Sequence, residues 1–137
     1  MDINEVPFAA HNGIVIEKDN TLTLPFDATI QNHLAGVHAG AQFLLAESAS
    51  GYYLLTAFPH LRGKINPLLR ESKIKFHQQT QSRLTAQVLV AEQAVEKWLK
   101  SLENRGRGAI NLQVEITDQD NLITCEGEFR WFVQLNA

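Results

Sequence analysis

The sequence predicts an α+β domain in which an antiparallel β-sheet surrounds one largely buried α-helix. Three patterns carry that expectation. Apolar and polar residues alternate in several separate stretches, the two-residue period of half-buried strands. A run from Ala39 to Tyr52 contains no β-branched residue and no proline, so it suits a helix of roughly three to four turns. Within that run Ala39, Ala41, Phe43, Leu44, Leu45, Ala46 and Ala49 fall on all sides of the helix instead of on one stripe, which marks a helix enclosed by other structure.

Taken in order, Gly13-Ile14-Val15-Ile16 opens a first strand and Thr21 to Phe26 a second, joined by the turn-forming Lys18-Asp19-Asn20. Pro25 and a polar stretch, Gln31-Asn32-His33, lead into the Ala39–Tyr52 helix. Tyr52 to Ala57 reads as a strand ended by Pro59. Ile74 and Phe76 alternate with Lys73, Lys75 and His77, and Leu84, Ala86, Val88 and Val90 alternate after the polar Gln78–Ser82, giving two more strands. From Glu92 to Asn104 the period changes. Ala94, Val95, Trp98, Leu99 and Leu102 fall at helical spacing, and Gly106 supplies the stop. Ile110, Leu112, Val114 and Ile116 then alternate without a miss. The Asp118–Asn121 cluster turns the chain into Ile123, Cys125, Gly127, Phe129, Trp131 and Val133, the last long strand. No repeat, linker or low-complexity tract interrupts the pattern, so residues 1–137 are expected to form one domain.

Composition narrows the classes. A chain of 137 residues buries roughly two-thirds of its unfolded surface, enough for one core. With 45% hydrophobic and 20% charged residues it is neither disordered, coiled-coil nor collagen-like. A net charge of −3 argues against a nucleic-acid-binding surface, so any anionic ligand has to be held locally. Cys125 stands alone, which rules out an intrachain disulfide or a thiolate cage and fits a reducing compartment. The first ten residues carry Asp2 and Glu5 and lack the basic and apolar regions of a signal peptide. No run of about 18 apolar residues is present. A cytoplasmic location without membrane insertion is expected.

One window, Asn32 through Glu47, is not explained as scaffold. It sets a carboxylate inside the apolar helix, where an ionised group pays for leaving water. Glu47 is either a structural carboxylate paired with an Arg or Lys at a seam or sheet edge, or a working group. The spacing of Asn32, His38 and Glu47, six and then nine residues, with Gly40 following His38, resembles the hotdog-fold thioesterases of the phenylacetate-degradation and hydroxybenzoyl-CoA type. Their motif has Asn, then His-Gly-Gly, then Asp or Glu at these intervals. Ala39 replaces the first glycine here, a modest departure because the role implied for that position is a main-chain N–H. The likeness extends over nearly the whole chain. The helix from 92 to 104 followed by Gly106 and a strand pair looks like a less well-characterised branch of that superfamily.

The resemblance implies a hotdog fold and hydrolysis of an acyl-CoA or acyl-carrier thioester, with CoA entering only as part of the substrate and no separate cofactor. The amides of Ala39 and Gly40, at a helix start with positive dipole potential, would form an oxyanion hole. Glu47 would be the nucleophile or the base for water, and Asn32 would orient water or the carboxylate. His38 fits better as a residue fixing the loop than as a general base. The family also implies a site shared between two subunits, hence a homodimer or homotetramer, in which a strand of the partner adds a Ser or Thr. Ser72 is the candidate for that position. Arg105 and Arg107 flank Gly106 and are candidates for the CoA phosphates, with Arg62, Lys64 and Arg70 as rivals and a solvated basic loop as the simpler account of either group. His33, His60 and His77 read as surface or loop histidines, and no ligand-spaced set indicates a metal. The common nucleophile-elbow, dinucleotide and phosphate-loop motifs are missing.

Two rivals accompany the thioesterase reading. His33 and Glu47 are fourteen residues apart, as are the paired His and Glu of hotdog acyl-carrier dehydratases, yet the prolines and glycine that lie between that pair are absent. The other rival is a hotdog protein that binds an acyl thioester without cleaving it.

Overall fold

Residues 5–137 are described by the computed structural model, so Asp2 lies outside the described residues. The chain runs α1 (Pro7–His11), β1 (Val15–Ile16), β2 (Leu22–Leu24), α2 (Ala39–Thr56), β3 (Ile65–Phe76), β4 (Leu84–Leu89), α3 (Glu92–Arg105), β5 (Arg107–Thr117) and β6 (Ile123–Leu135). All strand pairs are antiparallel and join in the order β1-β2-β4-β5-β6-β3. The sheet curls around α2, which touches β2 to β6. This is the expected α+β hotdog architecture.

The pairing follows from the alternation. On β5, Ile110, Leu112, Val114 and Ile116 point inward, and across from them Trp131, Phe129 and Cys125 of β6 do the same. α2 shows no single apolar stripe because most of its length is enclosed: Leu44, Leu45, Ala46, Ala49 and Leu54 are all buried. α3 packs on the inward face at the start of β5, with Trp98 and Leu102 buried. It ends at Gly106, whose φ of 72° is left-handed and whose N–H donates to Leu102 O at 2.8 Å, the stop expected from the sequence. Among the described residues no helix is long and apolar enough to cross a membrane.

Two local expectations are corrected. Tyr52–Ala57 is not a strand; α2 continues through it to Thr56. Burial of Leu54 and the edge-on packing of Tyr53 on Phe58, with ring centroids 5.6 Å apart, override the strand preference of Tyr and Thr. Arg62 closes the new end by donating from Nε and Nη2 to Thr56 O at 3.1 and 2.8 Å. The strand expected around Ile74 and Phe76 begins much earlier, at Ile65. β3 is an edge strand paired only to β6, so Pro67 costs it little by lacking an N–H, and a bulge between Leu69 and Glu71 breaks the alternation that would reveal it.

Candidate functional site

The loop before α2 is built by Asn32. Its Oδ1 accepts from Leu34 N at 2.9 Å and Gly36 N at 3.0 Å, while its own N–H donates to Gly36 O. Its Nδ2 donates to Gln79 Oε1 at 3.4 Å, and Val37 N donates to Thr80 O. Ala35 takes a φ of 59° to complete the turn. Asn32 therefore spends its side chain on the loop. His33 lies exposed in the same loop.

His38 is the N-cap of α2, and its Nδ1 accepts from Gly40 N at 2.8 Å. This is the loop-fixing role, and it has a further effect. Of the two amides at the helix start, Gly40 N–H is taken by the imidazole, whereas Ala39 N–H has no partner among the described residues. Ala39, Gly40 and His38 are all exposed.

Glu47 sits two turns along α2, half-buried. It faces a cleft of about 680 Å³ between α2 and the first part of β3. The walls are Ser48, Gly51, Tyr52 and Leu55 of the helix, Ile65 to Leu68 of β3, and Val6, Trp131 and Gln134. Glu47 is the one ionisable carboxylate in an otherwise largely apolar lining. Among the described residues no Lys, Arg or His pairs with it, so the structural ion pair weighed from the sequence is not formed within the chain. Burial alone raises its pKa above the ordinary glutamate value.

The cleft wall is fixed by Trp131. Its Nε1–H donates to Ser50 Oγ at 2.9 Å, and the Ser50 hydroxyl donates to Glu47 O at 2.8 Å, tying the indole to the helix turn that carries the carboxylate. A side chain at Gly51 would meet the indole at 3.1 Å, so glycine lets β6 approach the helix there. Trp131, Ser50, Gly51 and Tyr52 were not among the residues singled out from the sequence. A glycine in the middle of a helix, which costs about 0.5–1 kcal/mol relative to Ala, was the signal that could have found them.

The remaining sequence candidates are scattered. Ala39 and Glu47 are eight residues apart on one helix, roughly 12 Å along its axis. Ser72 lies on β3 opposite Phe129, on the helix-facing side and exposed. It is roughly 13 Å along the strand from Leu68 at the cleft wall. Arg105 and Arg107 are exposed at the α3–β5 junction; Arg107 pairs in register with Gln134, which lines the Glu47 cleft. Of their rivals, Arg62 is engaged in closing α2, and Arg70 lies over the Phe132 ring at 4.5 Å.

The fold is shared with solved structures. A Pseudomonas aeruginosa protein of unknown function, described as a probable thioesterase, aligns with a TM-score of 0.79 and 21% identity over 96% of this chain and 89% of its own. A Haemophilus influenzae thioesterase aligns with a TM-score of 0.76 and 16% identity over 97% and 88%. A hypothetical thioesterase from Streptococcus pneumoniae, solved with coenzyme A, aligns with a TM-score of 0.70 and 18% identity over 99% and 100%. No curated protein matches the chain in sequence. A family model described as "Domain of unknown function (DUF4442)" matches residues 14–133, from just before β1 to near the end of β6, and the chain belongs to that family.

Proposed function

We propose that this chain is a thioesterase acting on acyl-CoA or a related acyl thioester, with Glu47 as its carboxylate. The observation that carries the reading is a half-buried glutamate with no basic partner among the described residues, facing a largely apolar cleft, its pKa raised by burial. In one route Glu47 takes a proton from water as it adds to the thioester carbonyl and returns that proton to the sulfur as the C–S bond breaks. In the other the carboxylate adds, the thiol leaves with a proton from water, and the resulting hydroxide hydrolyses the mixed anhydride to free acid. In both, the oxyanion is held by main-chain amides at a helix start. CoA enters as part of the substrate, and the chemistry calls for no resident cofactor. Arg107, in register with Gln134 of the cleft lining, is the candidate for its phosphates.

The reading takes the site to be shared between two chains. With Ala39 and Glu47 separated by roughly 12 Å of helix axis, a site that joins Glu47 of one subunit with Ala39 of its partner brings carboxylate and amide to one carbonyl. The unpaired edge of β3 and the exposed Leu68 on it offer a surface for that association.

One observation favours the rival, an acyl-thioester-binding protein without turnover: His38 already occupies Gly40 N–H. Release of free thiol from a panel of short, long and aryl acyl-CoAs separates the two. Cleavage of at least one member is expected. A protein that cleaves none, yet melts higher in the presence of one, is a binder.

A further inference from the structure

On the flank of α2 next to the Glu47 cleft lies a second cavity of about 540 Å³, reaching the free part of the β4 edge. β2 pairs with β4 only through Thr85 and Leu84, so the strand edge from Ala86 onward has no neighbour and the space stays open. Its floor is apolar and largely buried, from Leu22, Ala49, Ala86 and Val88. Its rim is polar and includes Asn20 and Gln87, both exposed. Such a lining suits an alkyl chain whose end approaches water.

Among the described residues, one lines both cavities: Tyr52. It is half-buried, five residues past Glu47 and so roughly 7.5 Å further along the helix axis. Its hydroxyl reaches across to Asn20 Oδ1 at 3.3 Å, where Asn20 is presented by the β1–β2 turn with a φ of 69°. The ring spans the gap between helix and turn, and the hydroxyl contact is long enough to be a weak anchor.

Resting on the thioesterase reading above, we propose that Tyr52 is the specificity-determining wall between the two cavities. It restricts the native substrate to a compact acyl group that ends within the Glu47 cleft, and its removal joins the cleft to an apolar-floored extension for longer chains. The ring, not the hydroxyl, makes the wall.

The test compares kcat/KM for hexanoyl-CoA and palmitoyl-CoA in wild type, Tyr52→Ala, Tyr52→Leu and Tyr52→Phe. The wild type is expected to favour hexanoyl-CoA. Ala and Leu should raise the palmitoyl-to-hexanoyl ratio tenfold or more, the scale of discrimination by apolar pockets, while Phe keeps the wild-type ratio. Leu guards against a loss of folding in Ala. An unchanged ratio in both Ala and Leu, or a wild type that prefers palmitoyl-CoA, overturns the wall. Should wild type release no thiol at all, the thioesterase reading fails by itself. The wall is then read from the melting-temperature shift with non-cleavable thioether analogues of the same two chain lengths, where the Ala and Leu variants are expected to gain selectively with the longer analogue and equal gains reject it.

Discussion

Glu47 sits where an ionised carboxylate is poorly solvated, and the two consequences run in opposite directions. Because burial raises its pKa, the folded chain keeps a proton over a pH range in which the unfolded chain has lost it. Stability contributed by this group is present at acid pH and is lost as pH rises from the ordinary glutamate range through the raised value. Glu47→Gln has no such proton to lose. Its melting temperature should match wild type at acid pH and exceed it at neutral pH, while thioester hydrolysis falls by at least ~100-fold. A Gln variant that melts early and still turns over would make Glu47 a structural partner, since stranding a buried cation costs about 3–5 kcal/mol. Cys125 should be chemically silent. Burial first, and then the charge of Glu126, push its thiol up to about 12, so native protein should resist a thiol reagent that labels the unfolded chain at once. At this scale the sequence shows Glu47 and His38 well, because a carboxylate in an apolar helix and a polar residue before it are conspicuous. It hides what Asn32 does, because the choice of partners depends on loop dihedrals such as the positive φ of Ala35.

Among elements, β5, β6 and α3 are legible almost to their ends, since each has one face covered and shows its period plainly. α2 and β3 are not, for opposite reasons. A helix covered on all sides shows no stripe to mark where it stops, so Tyr52 to Ala57 is read by residue preference alone. An edge strand with a proline and a bulge, and with most of its residues exposed, has no clean alternation before Ile74. These two elements form the Glu47 cleft, which is why its walls escape sequence reading while its carboxylate does not. The approach of β6 to α2 behind that cleft is set by Trp131 against Gly51. Gly51→Val places carbon against an indole already pinned through Ser50, and should cost about 1–3 kcal/mol by overpacking. Urea unfolding measures the loss, and Trp131 emission should shift as the ring is displaced. An unchanged midpoint would mean that β6 yields freely there.

For the molecule as a whole the question is whether one chain makes a site. Along α2 the backbone positions of Ala39 and Glu47 are roughly 12 Å apart, and the proposed site takes the two from different chains. Ala39→Pro removes the amide and little else. Ala39 is the first helical residue, where proline is tolerated, and His38 before it has φ −62° and ψ 139°, which a following proline accepts. This variant should fold and melt normally and lose activity by about 10²–10³, the cost of one oxyanion donor. Mixing it with Glu47→Gln is the sharper experiment. In a shared site, a mixed dimer combines Glu47 from the proline variant with the Ala39 amide of the Gln variant, restoring one intact site and leaving the other doubly defective. Subunits refolded together in equal amounts should recover about a quarter of wild-type turnover, because half of the dimers are mixed and each keeps one of two sites. If the two variants assemble together and recover nothing, each site is made by one chain, and the pairing of Glu47 with a partner's helix start has to be abandoned.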